Sequence, residues 1–312
     1  MFVNLLAHVK WFESGEDMAF VSATSTQLLA ALGFVIVGVL VFLVLERALL
    51  TYEKKLATKL KPLIAYAPTV LRITLGLALT VFAARGEFLA PNIVTATSTS
   101  VSSGLLALEF LVGSLLILGL MTRAASVGLV VLYFLQLFTS PAINLLEHLE
   151  YVGSAIFLFV MGPGRYSVDE LFGAVPKLQK DSARKAILTL QFCVGTSLLT
   201  LGLSEKLFNV NLAQSFLADY RWNFLSIIKV PDPWFIVFIG ACEVLFGILL
   251  ILNISTRLVI TLVAATMFIT AALLGPTEVV GHLFAIGIFF AIWTMVEPEA
   301  SNLLPAKLSV KK

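Results

Sequence analysis

The chain has 312 residues, of which 59% are hydrophobic and 13% charged, with a mean hydropathy of +0.99. A soluble domain carries about 25% charged residues, so this composition excludes an ordinary soluble protein and indicates a polytopic membrane protein. The net charge of +2 is too small to imply a nucleic-acid partner. The two cysteines, Cys193 and Cys242, lie in apolar segments without a C-x-x-C spacing, which favours buried free thiols.

Apolar segments long enough to span a membrane recur along the chain. The first 26 residues are mixed polar without a basic start, so we expect no cleaved signal peptide and a retained first helix. A span needs roughly 20 apolar residues, and only helices satisfy the backbone in lipid, so the expected fold is all-α. Nine segments qualify as spans: 27–45, 67–84, 103–120, 123–139, 145–162, 186–204, 234–252, 256–274 and 278–296.

The basic residues indicate an orientation. Placing the N-terminus outside puts 15 of the 21 Lys and Arg residues on the inner side, as the positive-inside rule requires. Two outer loops stand out. Residues 92–104 form a small polar linker, and the aromatic-rich residues 208–233 favour a short amphipathic helix on the outer leaflet.

An internal repeat relates the two halves of the chain. Residues 103–162 and 237–296 share 15 identities in 60 positions, and their polar positions coincide at a fixed offset of 134. The matched residues are Glu109/Glu243, Gly113/Gly247, Thr122-Arg123/Thr256-Arg257 and His148/His282. The preceding helices align at an offset of 119, which matches Gly76/Gly195, Arg72/Gln191 and Glu87/Lys206. Two four-helix repeats of the same sense predict a pseudo-two-fold axis along the membrane normal.

This repeat predicts the organisation of the chain. The predicted parts are an outer segment 1–26, an extra helix with a basic inner loop 27–62, a first repeat 63–172, a basic linker 173–185, a second repeat 186–298 and an inner tail 299–312.

Short motifs carry a resemblance to a known family. Arg72-x₃-Gly76, Glu109-x₃-Gly113, Gly119-x₂-Thr122-Arg123 and the ending Gly162-Pro163-Gly164-Arg165-Tyr166-Ser167-x-Asp169 resemble the four-helix DoxX/DoxD family. In the second half, Gly202-x₃-Lys206-Leu207-Phe208, Glu243-x₃-Gly247 and Thr256-Arg257 resemble the same pattern. The resemblance covers roughly 67–170 and 186–297. The chain departs from the simple form by its tandem arrangement, its extra first helix, and Gln191 and a missing G-P-G-R-Y ending in the second copy.

The resemblance implies a prokaryotic inner-membrane protein. Some members of that family are linked to quinone-dependent sulfur oxidation and others to redox or maturation complexes. Quinone is therefore the possible cofactor that it implies, and redox or maturation proteins are the possible partners besides the lipid bilayer.

The duplicated ionisable residues are the candidate site. Such residues are costly inside a membrane and mark function or pairing. We expect Glu109, His148, Glu243 and His282 to converge on an outer-half cavity, each His in the first turns of its helix. Further polar residues, Gln136, Asn144 and Glu278, would line that cavity.

Three chemistries fit this set. A Glu–His pair could move protons or bind a quinone carbonyl, two Glu and two His could ligate a metal, and each Glu could simply hold a neighbouring helix. Since no H-E-x-x-H spacing occurs, we predict no metal site. Glu147 and Tyr151 have no counterpart in the second copy, where Gly281 and Ala285 stand, so any role there breaks the symmetry.

Three arginines are predicted to be structural. Arg123 and Arg257 lie at tight inner turns and would anchor helix ends, while Arg72 lies one turn deeper, which favours a carboxylate partner.

These features lead to three functional hypotheses. The first is a membrane subunit of a redox system that handles a quinone or protons. The alternatives are a carrier or maturation factor for a small molecule or metal, and a scaffold for partner proteins. Whether the chain is an enzyme by itself stays open, because no cofactor-attachment motif is present.

Overall fold

The computed structural model describes residues 9–11, 21–94, 100–174, 179–221 and 223–298. These residues form a helical bundle with one short hairpin. The longer helices are α1 (Ser25–Leu60), α2 (Ala67–Arg85), α3 (Ser100–Leu118), α4 (Thr122–Leu135), α6 (Glu150–Met161), α8 (Lys180–Leu201), α9 (Val210–Tyr220), α10 (Asp232–Ile251), α11 (Thr256–Leu274) and α13 (Leu283–Met295). The shorter elements are β1 (Glu87–Phe88), β2 (Ala90–Val94), α5 (Ile143–Glu147), α7 (Val168–Leu171), a π-helix (Gly202–Leu207) and α12 (Pro276–Gly281).

The predicted all-α membrane architecture is confirmed. In the described part of the chain, five helical segments are long and apolar enough to span a membrane, and three shorter apolar helices accompany them. One of the five, Ser25–Arg85, contains both α1 and α2, joined by a 3₁₀ turn at Lys61–Tyr66. All nine predicted segments lie on helices, while the number of nine spans stays a prediction.

The helices define two ends of the bundle. We call the end with the turns Met121–Arg123 and Ser255–Arg257 the arginine face, and the opposite end with His148 and His282 the histidine face. At the arginine face, Met121 and Ser255 have nearly the same left-handed backbone, with φ of 49° and 48°. Their sequence separation is 255 − 121 = 134, so the two turns are equivalent in structure as well as in sequence.

Two predicted helices are interrupted at the histidine face. The segments 145–162 and 278–296 were each expected to be continuous, but α5 ends before His148 and α12 ends before His282. Both histidines therefore lie in the break between a short helix and a longer apolar one. Backbone hydrogen bonds still bridge both breaks, from His148 N–H to Asn144 O and from His282 N–H to Glu278 O, at 3.0 Å each.

A short antiparallel hairpin follows α2. Gly86 ends the helix with φ of 77°, and Leu89 turns the chain between β1 and β2 with φ of 63°. This hairpin was not predicted from the sequence. Of the predicted polar linker 92–104, residues 95–99 lie outside the described part. The amphipathic helix predicted within 208–233 is present as α9, and its Trp222 also lies outside the described part.

Paired glycines set the closest helix crossings within each half. A Cβ on Gly76 would lie 2.6 Å from the carbonyl oxygen of Gly113, and one on Gly195 would lie 2.7 Å from that of Gly247. Small residues permit this close approach, which supplies the van der Waals packing that holds helices together in lipid. The crossing of α2 with α3 is therefore repeated by α8 with α10.

Other glycines set the packing between the halves. A Cβ on Gly153 of α6 would lie 3.1 Å from the Cα of Leu190 on α8, and one on Gly287 of α13 would lie 2.6 Å from the Cα of Leu71 on α2. These pairs are related by the two sequence offsets, 287 − 153 = 134 and 190 − 71 = 119. Each half thus packs its last helix on the first helix of the other, as in a two-fold interface.

The leading helix α1 packs against the second half. Its Glu46 accepts a hydrogen bond from the backbone N–H of Ser255 (3.1 Å), and its Glu53 pairs with Arg257 (2.7 Å). Near the middle of α1, a Cβ on Gly38 would lie 3.0 Å from Leu245 Cδ1 of α10. The extra helix therefore breaks the two-fold relation by binding one arginine-face turn only.

Candidate functional site at the histidine face

The arginines form structural clamps at the opposite end. Buried Arg72 donates hydrogen bonds to five backbone carbonyls rather than to the carboxylate that the sequence favoured. The acceptors are the oxygens of Leu116, Ile117, Pro163, Arg165 and Tyr166, at 2.6–3.2 Å. Carbonyls at a helix C-terminus and in a tight turn have no internal partners, so one guanidinium with its N–H groups in a fixed fork satisfies them together. The motif ending at Asp169 is thus bound to α2 and α3.

The second half keeps part of this arrangement. Gln191, at the position of Arg72, donates from Nε2 to the carbonyl of Leu250 (2.7 Å), the counterpart of Leu116. Arg123 donates from Nε to Phe159 O at 3.0 Å, and Arg257 donates to Trp293 O at 2.8 Å. Both pairs again obey the offset of 134, so the predicted anchoring role of these arginines has a direct geometric basis.

Glu109 contacts the hairpin. Its Oε1 accepts a hydrogen bond from the backbone N–H of Leu89 (3.0 Å), and the carbonyl of the same residue accepts one from the Tyr151 hydroxyl. The hairpin also carries Glu87, where burial raises the pKa of the carboxyl and the Arg85 guanidinium, 2.9 Å away, opposes that rise. Glu109 therefore fixes a strained turn inside the first half.

Glu243 belongs to a buried charge cluster. Its Oε2 lies 2.9 Å from the ammonium of Lys206, which also lies 3.7 Å from a carboxylate oxygen of Glu205. All three side chains are buried, and Glu205 and Lys206 lie on the π-helix. Such local widening of a helix is rare and frequently lies at functional sites.

The two histidines have different surroundings. His148 Nδ1 lies 2.9 Å from the amide Nε2 of Gln136, and buried Asn144 lies one turn before it. His282 Nδ1 lies 3.3 Å from Oε1 of Glu278, and the ring of Trp11 lies 4.7 Å from the imidazole, centroid to centroid. The Nδ1–H of His282 donates a hydrogen bond to the backbone carbonyl oxygen of Glu278 (3.1 Å), and this bond fixes the orientation of the imidazole ring.

Residues Val9–Trp11 bridge this whole region, and we call them the strap. The backbone N–H of Val9 donates to Glu205 (2.9 Å), and the Lys10 ammonium contacts both carboxylate oxygens of Glu147 at 2.6 and 2.7 Å. Trp11 packs so closely on Gly281 that a side chain there would displace it. The strap thus joins the first half, the π-helix and the second half at the histidine face.

A central cavity, whose lining includes the strap's partners Glu147 and His282, lies between α6, α8 and α13. Its volume is about 40 Å³, and its polar lining consists of Glu147, Glu150, Ser197 and His282. Ser197 donates a hydrogen bond to Glu150, and the rest of the lining is apolar. Eight of its twelve lining residues are apolar, so hydrophobic side chains bound most of this volume.

A larger apolar groove lies between α11 and α13. Its volume is about 700 Å³, within the range of about 300–1,000 Å³ that is typical of ligand sites. Its polar residues are Thr261 and His282, and the latter also lines the central cavity. His282 therefore lines both the apolar groove and the smaller cavity, whose wall also contains Glu147, Glu150 and Ser197.

Small side chains open this groove in the second half. Alanines line it where the first half has larger residues at the matched positions: Ala264/Val130, Ala265/Val131, Ala271/Leu137 and Ala285/Tyr151. Tyr151 is buried and bonded to the hairpin, and Tyr133, at the position of Met267, donates to Leu145 O (2.6 Å). In the first half, these two tyrosines fill the space that stays open in the second half.

The structure corrects the expected single cavity. Glu109, His148 and Glu243 contact the hairpin, Gln136 and Lys206 respectively, and His282 is the member of the four that lines the central cavity. Depth and offset in the sequence place a side chain along a helix but do not say which neighbour it meets. Among the described residues, no group of three or more His, Cys, Asp or Glu side chains is placed to hold a metal ion.

Several important residues were missed by sequence reasoning. They are Lys10, Trp11, Glu150, Ser197 and Glu205. The departure from symmetry at Glu147 and Tyr151 was the available signal, because Glu147 binds Lys10 where its counterpart Gly281 receives Trp11.

Comparison with known proteins gives a family match for part of the chain. The DoxX family model matches residues 186–276, which include the π-helix, α10 and α11. No curated protein and no solved structure matches the chain.

Proposed function

We propose that this protein, whose residues 186–276 carry a DoxX domain, is the membrane subunit of a redox system and handles a quinone and protons at His282. The observation that carries the proposal is the apolar groove between α11 and α13 with His282 in its lining. Residues 67–170, which show the same DoxX-like sequence pattern, would form a second, diverged unit. In that unit, tyrosines fill the space that corresponds to the groove. The first half would then support the second.

The lining of the groove fits a lipophilic ring compound. Alanine and aromatic side chains leave a deep apolar space with few polar groups, as in sites that bury most of a hydrophobic ligand. An imidazole can donate a hydrogen bond to a ring carbonyl and transfer a proton to it. A bound quinone would supply two-electron, two-proton redox chemistry.

The residues around His282 would have separate roles. The backbone carbonyl of Glu278 accepts a hydrogen bond from Nδ1 of His282 (3.1 Å) and so orients the ring. The central cavity on the other side of His282, lined by Glu147, Glu150 and Ser197, would exchange protons with the imidazole through water. Electron transfer to or from a soluble domain would require a partner protein, and the expected setting is a prokaryotic inner membrane with the histidine face outside.

Quinone binding by the purified protein tests this proposal. Wild type should bind a short-chain quinone, and Ala285→Tyr, which copies Tyr151 of the first half, should weaken binding by at least about tenfold because it fills the groove. His282→Ala should weaken binding as well, through the lost polar contact. The matched control is Ala30→Tyr on the exposed face of α1. If wild type binds no quinone, or Ala285→Tyr binds as wild type does, the proposal is wrong.

A further inference from the structure

We infer that a cavity at the arginine face binds the anionic headgroup of a membrane phospholipid, and we call it the headgroup cavity. It lies between the start of α8, the end of α13 and the 3₁₀ turn before α2, and its volume is about 180 Å³. Lys180 and Arg184 line it, together with Asn253, Glu297 and apolar side chains. It shares no lining residue with the quinone groove, and the inference does not depend on quinone binding.

In the first half, the corresponding space is filled by the chain itself. The offsets of 119 and 134 match the cavity residues Leu188 and Asn253 with Thr69 and Gly119 (188 − 119 = 69; 253 − 134 = 119). Both matched residues contact the G-P-G-R-Y ending that follows α6. Thr69 donates a hydrogen bond to a backbone carbonyl of that ending (2.8 Å), and a Cβ on Gly119 would lie 2.5 Å from Cβ of Ser167. Polypeptide therefore occupies this position in the first half.

The second half lacks both that ending and the arginine that binds it. Gln191 stands at the position of Arg72, and its amide donates to the side-chain oxygen of Asn253 (3.1 Å). Arg184 adds a cation where the first half has Ala65 (184 − 119 = 65). The second half thus keeps open, and lines with positive charge, a space that the first half fills with its own chain.

The lining changes from polar to apolar in the way that a lipid does. Lys180 and Arg184 are one helical turn apart on the same side of α8, and the predicted membrane-spanning segment begins two residues after Arg184. Ile187, Leu188 and Met295 add an apolar wall. The volume is smaller than the roughly 300–1,000 Å³ of sites that bury a whole ligand, so the cavity suits a headgroup whose chains stay in the bilayer.

The charge of the lining matches a single phosphodiester. Glu297 is the acidic residue among those that line the cavity, and its Oε1 lies 3.2 Å from the Lys180 ammonium. These two side chains are 42% and 85% exposed, and such surface ion pairs contribute little, so a phosphate can replace the carboxylate. With Arg184, the lining carries one net positive charge. Basic pockets between membrane helices bind anionic lipid headgroups through the same pairing.

Native mass spectrometry of the full chain in detergent tests this site through the lipid that the protein retains. The probes are dioctanoyl phosphatidylglycerol and dioctanoyl phosphatidylcholine, which have the same acyl chains and differ in net charge. Wild type should bind the phosphatidylglycerol more tightly. Inorganic phosphate in excess should leave the bound lipid in place, because it has no chains to bury against the apolar wall.

Neutral variants identify the cations that hold the headgroup. Lys180→Gln and Arg184→Gln should each weaken phosphatidylglycerol binding about fivefold and affect phosphatidylcholine binding much less. The matched control is Lys185→Gln, which removes a charge from an exposed neighbour outside the lining and should change binding by less than about twofold, since water and salt screen it. Ala183→Trp should weaken binding without a change of charge, because the ring fills the cavity.

Four outcomes overturn the inference. Equal affinity of wild type for the two lipids would show that charge does not select the ligand. Equal losses in Arg184→Gln and Lys185→Gln would show general attraction to a basic surface. Displacement of the lipid by inorganic phosphate would assign the cavity to a soluble anion. Tighter lipid binding after deletion of residues 299–312, which lie outside the described part, would show that this tail covers the cavity. Each result is valid whether or not the protein binds quinone.

Discussion

At the scale of single residues, two equivalent glutamates show how a repeated position can do different work. Glu109 and Glu243 are both buried, yet the first accepts a backbone N–H and the second pairs with a lysine. Lys206 occupies the position that Glu87 holds in the first half. Glu109 therefore needs only an oxygen that accepts a hydrogen bond, whereas Glu243 also needs a negative charge to pair with Lys206.

This difference predicts unequal effects of the same substitution. Glu109→Gln keeps an oxygen for the N–H of Leu89 and should lower the free energy of unfolding by less than about 1 kcal/mol. Glu243→Gln leaves the buried Lys206 with one weaker carboxylate partner and should cost about 2–4 kcal/mol. Thermal unfolding of both variants in the same detergent measures the difference. A larger loss for Glu109→Gln would contradict this assignment.

The sequence identified the residues of the site better than their partners. The offset of 134 singled out His282 and Glu243, because ionisable residues are rare in apolar helices. It could not reveal Lys10, which lies 137 residues from Glu147, or Trp11, which lies 271 residues from His282 (282 − 11). Contacts of such long range follow from tertiary packing and leave no local pattern.

At the scale of elements, apolar length predicts helices well and their interruptions poorly. All nine predicted segments lie on helices, but the breaks at His148 and His282 were missed. The residues on either side of each break are apolar, so hydropathy continues across it. The hairpin at Glu87–Val94 was missed for a related reason, since its turn depends on Leu89 with a positive φ that no sequence rule favours.

The glycine crossings give the element-scale prediction. Gly195→Val should force α8 away from α10, because its Cβ would lie 2.7 Å from a backbone oxygen that cannot move independently. We expect a loss of roughly 1–3 kcal/mol, as for other overpacked contacts. Gly33→Val is the matched control, since nothing lies within 4 Å of a Cβ there. Equal melting temperatures for the two variants would show that the crossing tolerates separation.

At the scale of the whole molecule, a two-fold arrangement carries an asymmetric site. Each half packs its last helix on the first helix of the other, so neither half can shift without the other. The groove lies in the second half, where alanines replace bulkier residues of the first half. One half can therefore lose packing to form a site while the other maintains the interface.

Orientation in the membrane is the prediction for the whole molecule. The distribution of basic residues predicts that the arginine face lies inside the cell, so a cysteine there should be protected from an impermeant maleimide in intact cells. Leu171→Cys, at an 84% exposed position on α7, reports on the arginine face, and Ser226→Cys reports on the opposite end. We expect labelling of Ser226→Cys alone. Labelling of Leu171→Cys alone would show that the topology is the opposite of the predicted one.

The contacts of the strap also set an order of events during synthesis of the chain. Trp11 leaves the ribosome early, but its partner His282 follows 271 residues later (282 − 11). At about 5–20 residues per second, roughly 14–54 s pass between the two. Lys10 and Val9 can meet Glu147 and Glu205 earlier, but Trp11 can pack only after Gly281 and His282 have been synthesised. A docked Trp11 therefore marks a chain that has been synthesised at least as far as His282.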